Sequence, residues 1–448
     1  VSFDEFKDEV INDYKLACIS REVSLIGRKE VLTGKAKFGI FGDGKELPQI
    51  ALAKVFENGD FRAGYYRDQT FALATGIVTV EQLFGQLYAN PSSEEDPHSG
   101  GRQMNNHFAT RSLHADGSWK KLKYQKNTSA DLSSTAAQMP RSLGLALASK
   151  KYRELQDKIG ENDFSNKGNE VCFATIGDAS TSEGLFWEVI NAAGVQQVPL
   201  VISVWDDGYG ISVPKKYQTT KESISKILKG FQKTGNSNGI DIYVVKGWNY
   251  PQLVATYKLA ADKTRKTFVP ALIHVEELTQ PQGHSTSGSH ERYKTAERLQ
   301  WEREHDCNVQ FRKWILQNKM ATDEELVAIE ADAKRFVSAQ KKISWGKLHG
   351  PVMEELHEVS AIIHKIAATS KHKERLEELD KILKYAIDPL RKEIFEAISA
   401  VLVLVKDEQN DAINELKKWR AKQTEINEDR YSSYQHTGSA DSPLKLPI

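Results

Sequence analysis

The stretch from Val171 to Val275 alternates short runs of β-branched residues with segments of helical periodicity. The runs VCFATIG (171–177), PLVISVW (199–205), IDIYVVKG (240–247) and PALIHVEE (270–277) predict strands. Between them, EGLFWEVINAAGVQQ (183–197) and YPQLVATYKLAADKTRK (250–266) carry apolar residues at helical spacing. Strand and helix in alternation specify a parallel sheet with helices on its faces, so the expected fold class is α/β.

The chain has 448 residues, and at ~150 residues per domain it has room for two or three units. Residues 1–150 read as mixed, with helix at the start and a Gly-rich turn, FGDGKELP, at 41–48. From Pro91 to about Ser134 a polar stretch shows no helix, and loops of that length are usually functional or disordered. Beyond about 320 the pattern becomes charged amphipathic helix, first over 321–342 and then over 370–422, with Pro389 kinking or separating helices. The expected division is a catalytic domain over 1–345, a helical extension over 346–423, and a linker or tail over 424–448. The missing initiator Met and the ending SADSPLKLPI suggest a processed or excised piece.

Lys plus Arg and Asp plus Glu both number 61, so no global field favours nucleic acid, an anionic membrane or an acidic partner. A charged ligand must be held locally. The most apolar run, AISAVLVLV (Ala397–Val405), is about half the ~18 residues of a membrane span and reads as a buried helix face. The opening VSFDEFKDEV is charged where a signal peptide is apolar. Cys18, Cys172 and Cys307 show no CxxC spacing, which argues against a disulfide framework and for a reducing, cytoplasmic setting.

Ligands of an open parallel sheet sit beyond the carboxyl ends of its strands. Two segments fall there, GDASTSEG (177–184) and WDDGYGISVP (205–214). Asp178 follows a strand and precedes a helix, where a carboxylate holds a hard cation while helix amides face an anion. Asp207 follows the next strand and completes an oxygen shell. Singly, Asp178 is as well explained as a helix cap, and Asp206-Asp207-Gly208 as a turn. In register on adjacent strands, they suggest a metal beside a phosphate. A phosphoesterase with several Asp ligands is another metal-based reading, but no general base or nucleophile accompanies it.

The stretch GDASTSEGLFWEVINAAGVQQVPLVISVWDDGYGISVP (177–214) resembles the GDG…N thiamine-diphosphate motif of the alpha subunits of 2-oxoacid dehydrogenases. YYRDQTFAL (65–73), GRQMNNHF (101–108), STAAQMPRSLGLALA (134–148) and GHSTSGSHERYK (283–294) look like further blocks of that family in the same order. The resemblance covers about residues 20–345 and implies a thiamine-diphosphate-binding fold followed by a C-terminal helical extension.

It implies thiamine diphosphate and Mg²⁺ as cofactors, with Gly177, Asp178, Ala179 and Ser180 at the diphosphate. Asp178 would be a Mg²⁺ ligand, Asp207 would stand in the family's Asn position, and Tyr209 would offer its backbone oxygen. Tyr66 and Arg67 match a pair that contacts the diphosphate, and Ser133 and Thr135 match the loop at the pyrimidine end. His284 sits where the family places a histidine beside the reacting thiazolium carbon. His107 aligns near the substrate, and equally reads as orienting the polar loop. The sequence departs from the pattern twice. Ala179 replaces a glycine, which is acceptable in a helical conformation and strained at positive φ. Asp207 adds a negative charge beside a diphosphate, expected to favour Mg²⁺ and oppose the cofactor.

The implied reaction is decarboxylation of a 2-oxoacid, with the acyl group passed to a lipoyl acyltransferase partner. A separate beta half, as a subunit or fused beyond 431–448, would supply the Glu that activates the cofactor, making the assembly a hetero-oligomer. GRQMNNHF looks closer to the branched-chain members than to the pyruvate members. A pyruvate- or acetoin-type enzyme, or a cofactor-free scaffold subunit, are the alternatives.

Overall fold

All four predicted strands form, each within one residue of its expected ends. The computed structural model describes residues 2–286 and 288–432. In chain order the strands are β1 (Phe61–Ala63), β2 (Asn127–Thr128), β3 (Cys172–Gly177), β4 (Leu200–Trp205), a small hairpin of β5 (Tyr209–Gly210) and β6 (Val213–Pro214), β7 (Asp241–Lys246) and β8 (Ala271–Glu276). Six of them make one parallel sheet in the order β2-β1-β3-β4-β8-β7. The fold is therefore α/β, a parallel sheet flanked by helices. Strands β1 and β2 were not foreseen, being too short to show a pattern of their own.

Side-chain alternation along the strands builds two cores, one on each face. Phe173, Val201, Ile273 and Val275 join Leu253 and Tyr257 of the helix Tyr250–Thr267, together with Tyr14, Ala17 and Phe311. Cys172, Ala174, Ile176, Leu200, Ile202 and Val204 join Phe186, Val189, Ile190 and Ala193 of the helix Gly184–Gln196. Each large side chain so buried contributes about 1.5–3 kcal/mol. All six residues of β4 are buried, which is why its sequence is an apolar run with one serine.

Pairing fixes the site. Gly177 of β3 lies opposite Trp205 of β4, and Trp205 opposite Val275 of β8, so the three strands end side by side. The polar stretch 91–134 wraps their neighbours as turns held by side chains. Asp96 accepts from the backbone amides of His98, Ser99 and Gly101 at 3.1, 3.2 and 2.9 Å.

Two helical patterns were expected beyond residue 320, over 321–342 and 370–422. The first is instead the start of a single helix, Asp323–Ala367, capped by Thr322 and Glu325, with Pro351 inside it. Residue 345, the expected domain boundary, lies mid-helix. The core changes a few residues further on: Val337, Trp345 and Leu348 pack with Val23, Phe84 and Tyr88, whereas Val352, Leu356, Val359 and Ile363 pack with later helices. Those helices are Lys373–Lys384, Arg391–Leu404 and Asp411–Ser432. Pro389 falls between the first two. Of the run Ala397–Val405, Ile398, Val401 and Val405 are buried while Val403 is exposed. Helix continues over 424–432, where a linker or tail was expected, and 433–448 lie outside the described residues. Among the described residues no helix is long and apolar enough to cross a membrane.

Candidate active site

Backbone hydrogen bonding runs past the strand ends and sets the two aspartates. The Asp178 amide donates to Trp205 O at 3.1 Å, and the Asp206 amide to Val275 O at 2.9 Å. Asp178 has helical φ/ψ (−56°, −43°) and leads into the 3-10 turn Ala179–Ser182. Ala179 is thus helical, and the strain feared for it does not arise. A Cβ on Gly210 would lie 2.8 Å from that of Ala179, so the hairpin carries glycine where it crosses the alanine.

Asp178 is buried and its Oδ2 has no hydrogen-bond partner. Burial holds its carboxyl well above the usual range, and the charges of Asp206 and Asp207 push the same way. An orphaned oxygen on a carboxyl so raised can be satisfied by a proton or by a cation.

Asp207 is different. Its Oδ2 accepts from Lys45 Nζ at 2.8 Å, its Oδ1 accepts from the Tyr209 amide at 3.1 Å, and His284 Nε2 lies 3.4 Å from Oδ1. Arg298 donates to the Asp207 carbonyl at 2.7 Å. Burial opposes the charged form, yet Lys45 and His284 together hold the carboxyl well below its usual range. The unbalanced negative charge expected at this position is therefore absent, because a buried lysine cancels it. Sequence reasoning missed Lys45, which stands 162 positions away in a turn that reads as surface.

His284 is lowered by burial, against the pull of Asp207, so its imidazole is neutral, and its Nδ1 is buried without a partner. Arg67 donates to the carbonyls of Phe41 (2.7 Å) and His284 (2.9 Å), clamping the loop that carries the histidine. His107 stacks on Tyr66 with ring centroids 6.2 Å apart. Its Nδ1 donates to Asn105 O at 3.2 Å, so Nε2 accepts from the Ser133 hydroxyl at 3.0 Å. With both nitrogens engaged, His107 orients Tyr66 and the polar loop.

These groups converge on a cavity of about 550 Å³. Tyr66, Arg67, Thr135, Gly177, Asp178, Ala179, Ser180, Asp207, Tyr209 and His284 all line it; His107 and Ser133 stand one layer behind, reached through Tyr66. A second cleft of about 770 Å³ shares Asp207 and is walled by Lys215–Ser223, but it contains neither Asp178, Arg67 nor His284. The first holds the unpartnered Asp178 Oδ2 and His284 Nδ1 together with Arg67, and is the better candidate. Among the described residues no group of three or more His, Cys, Asp or Glu is placed to hold a metal, so a cation beside Asp178 would need oxygens other than such side chains, as a backbone carbonyl, a diphosphate or water supplies.

The family model described as dehydrogenase E1 component matches residues 14–348. The chain is 26% identical over 323 residues to the 2-oxoisovalerate dehydrogenase subunit alpha of Bacillus subtilis (strain 168), covering 70% of this chain and 84% of that protein. It is 29% identical over 208 residues to the pyruvate dehydrogenase E1 component subunit alpha of Rickettsia felis, covering 46% of this chain and 57% of that protein. It is also 25% identical over 304 residues to the mitochondrial 2-oxoisovalerate dehydrogenase subunit alpha 1 of Arabidopsis thaliana, covering 67% and 56%.

Proposed function

Because this chain belongs to the dehydrogenase E1 component family, we propose that it is the alpha-type part of a 2-oxoacid dehydrogenase that uses thiamine diphosphate and Mg²⁺. The observation that carries this reading is the pair of buried, unpartnered atoms, Asp178 Oδ2 and His284 Nδ1, on residues that line one cavity with Arg67. When bound, thiamine diphosphate would supply the nucleophilic carbon and electron sink that decarboxylation of a 2-oxoacid requires.

The chain's own residues do the rest. Asp178, where the 3-10 turn begins, would hold the metal through its free oxygen. Arg67 fixes the His284 loop against Phe41, and Tyr66 is steadied by His107 and Ser133. The neutral His284 presents an unprotonated Nδ1 if its Nε2 proton faces Asp207, and such a nitrogen can accept a hydrogen bond from a hydroxyl or relay its proton during acyl transfer. That nitrogen is itself buried from solvent.

The substrate proposed is a branched-chain 2-oxoacid, supported by the likeness to the two 2-oxoisovalerate dehydrogenase subunits; pyruvate is the second choice. A beta half and a lipoyl acyltransferase are the proposed partners. The three free, buried thiols support a reducing, cytoplasmic setting.

Calorimetric titration of the chain in its native assembly with thiamine diphosphate, with and without Mg²⁺, tests the reading. Saturable Mg²⁺-dependent binding is expected, and Asp178→Ala should abolish it while leaving the protein folded. Unchanged affinity in folded Asp178→Ala rejects the metal role. Absence of binding to the wild type favours the cofactor-free scaffold.

A further inference from the structure

The Gly-rich turn at 41–45 has been given no task, yet it is fastened to the site at three points. Lys45 Nζ donates to Asp207 Oδ2 at 2.8 Å, to Gln280 Oε1 at 2.7 Å and to Thr279 O at 3.1 Å. Asp43 accepts from Gln280 Nε2 and from the Gln282 amide, both at 2.9 Å. Phe41 O accepts from Arg67. The approach is so close that a Cβ on Gly44, whose φ is +84°, would lie 2.2 Å from Thr279 O. Glycine is required there on both counts.

An ammonium has three donors and no acceptor. All three are matched here, on a side chain only 1% exposed. A lysine buried this fully is rare unless it is paired. Its partner is the one carboxylate that departs from the family motif, and its charge is also felt at Asp178 and His284.

We propose that Lys45 is a positioning residue of the cofactor site: it cancels the charge of Asp207 and locks that carboxylate with its other oxygen turned toward His284 and the Tyr209 amide. A diphosphate ester entering the cavity then meets a neutral pair rather than a bare anion, and His284 keeps its orientation through Asp207. Lysine and aspartate act as one unit, which explains why the chain carries an acid where the family motif has an amide. This inference rests on the cofactor reading proposed above.

The test is a double-mutant cycle in the native assembly with Lys45→Met, Asp207→Asn and the double variant. It is read by titration with thiamine diphosphate at fixed Mg²⁺ and by melting temperature without cofactor. Each single change is expected to weaken cofactor binding by about tenfold or more, since each leaves a buried charge alone. The double variant should regain most of the affinity. If Lys45→Met does not fold, Asp207→Asn against the double variant makes the same comparison. Lys45→Arg, which keeps the charge, should bind closer to wild type than Lys45→Met.

Folded single variants within about twofold of wild type, or losses that merely add in the double variant, overturn the inference. So does coupling confined to melting temperature, which would make the pair purely structural. Wild-type protein that takes up no thiamine diphosphate overturns the proposed function, and this inference with it.

Discussion

The carboxyl end of the sheet and the helical extension handle charge in opposite ways. Beneath the site, Arg62 donates to Asp68 at 2.8 Å and to Asp131 at 3.0 Å, and Trp205 Nε1 donates to Asp68 at 3.2 Å, every partner buried. In the extension, pairs such as Lys373–Glu377 and Lys365–Glu415 lie on the surface, around a core of Val, Ile and Leu. The first region has its charges fixed in place before any ligand arrives, and the second keeps most of its charges on the surface, with Glu355 and Asp380 as buried exceptions paired to Arg391 and to Lys384. The stability of the first should therefore depend on partners, and that of the second on volume.

Arg62→Met should break the first region most severely. It strands two buried carboxylates and is expected to cost about 3–5 kcal/mol, with loss of cofactor binding; urea unfolding measures it, and a loss below about 1 kcal/mol would mean that water reaches the network. Ile363→Ala should cost about 2–5 kcal/mol, because Ile363 is fully buried in the extension's core. Cofactor affinity should stay as in wild type, and calorimetric unfolding with a parallel titration would show whether the two cores are as separate as they look. Arg67→Lys should leave stability within about 1 kcal/mol but weaken cofactor binding, since one ammonium cannot span the carbonyls of Phe41 and His284. Equal affinity would remove Arg67 from the site. Lys373→Ala, with a side chain 63% exposed, should change stability by less than about 0.5 kcal/mol.

Much of this was legible in the sequence, for definite reasons. Strands β3, β4 and β8 are buried on both sides or nearly so, and their β-branched runs announce it; β7, at the sheet edge, is only partly buried but keeps the same kind of run. Asp178 and Asp207 were found because a strand's end is readable and parallel strands end together. Lys45 was not legible: its turn could be read, but nothing local says that Thr279 and Gln280 close over it. The pairing of His107 with Ser133 also depends on a contact across 26 positions of irregular chain. The continuity of Asp323–Ala367 was hidden by Gly346, Gly350 and Pro351, which in isolation signal a break. Neighbouring helices keep that segment helical where local preference does not.

That continuous helix has a consequence for how the chain can change. Its first half is gripped by the sheet domain and its second half by the extension, with the handover between Leu348 and Val352. Each residue of an α-helix turns the next by ~100° and advances it by ~1.5 Å. Inserting or deleting one residue between those two positions would swing the whole extension about the helix axis, leaving the contacts within each core intact but breaking those between the halves, such as Lys35–Asp388. The phase between the two halves is thus tied to residue count, with side contacts such as Lys35–Asp388 as a second restraint, and substitutions along the helix are tolerated far more readily than any change in its length.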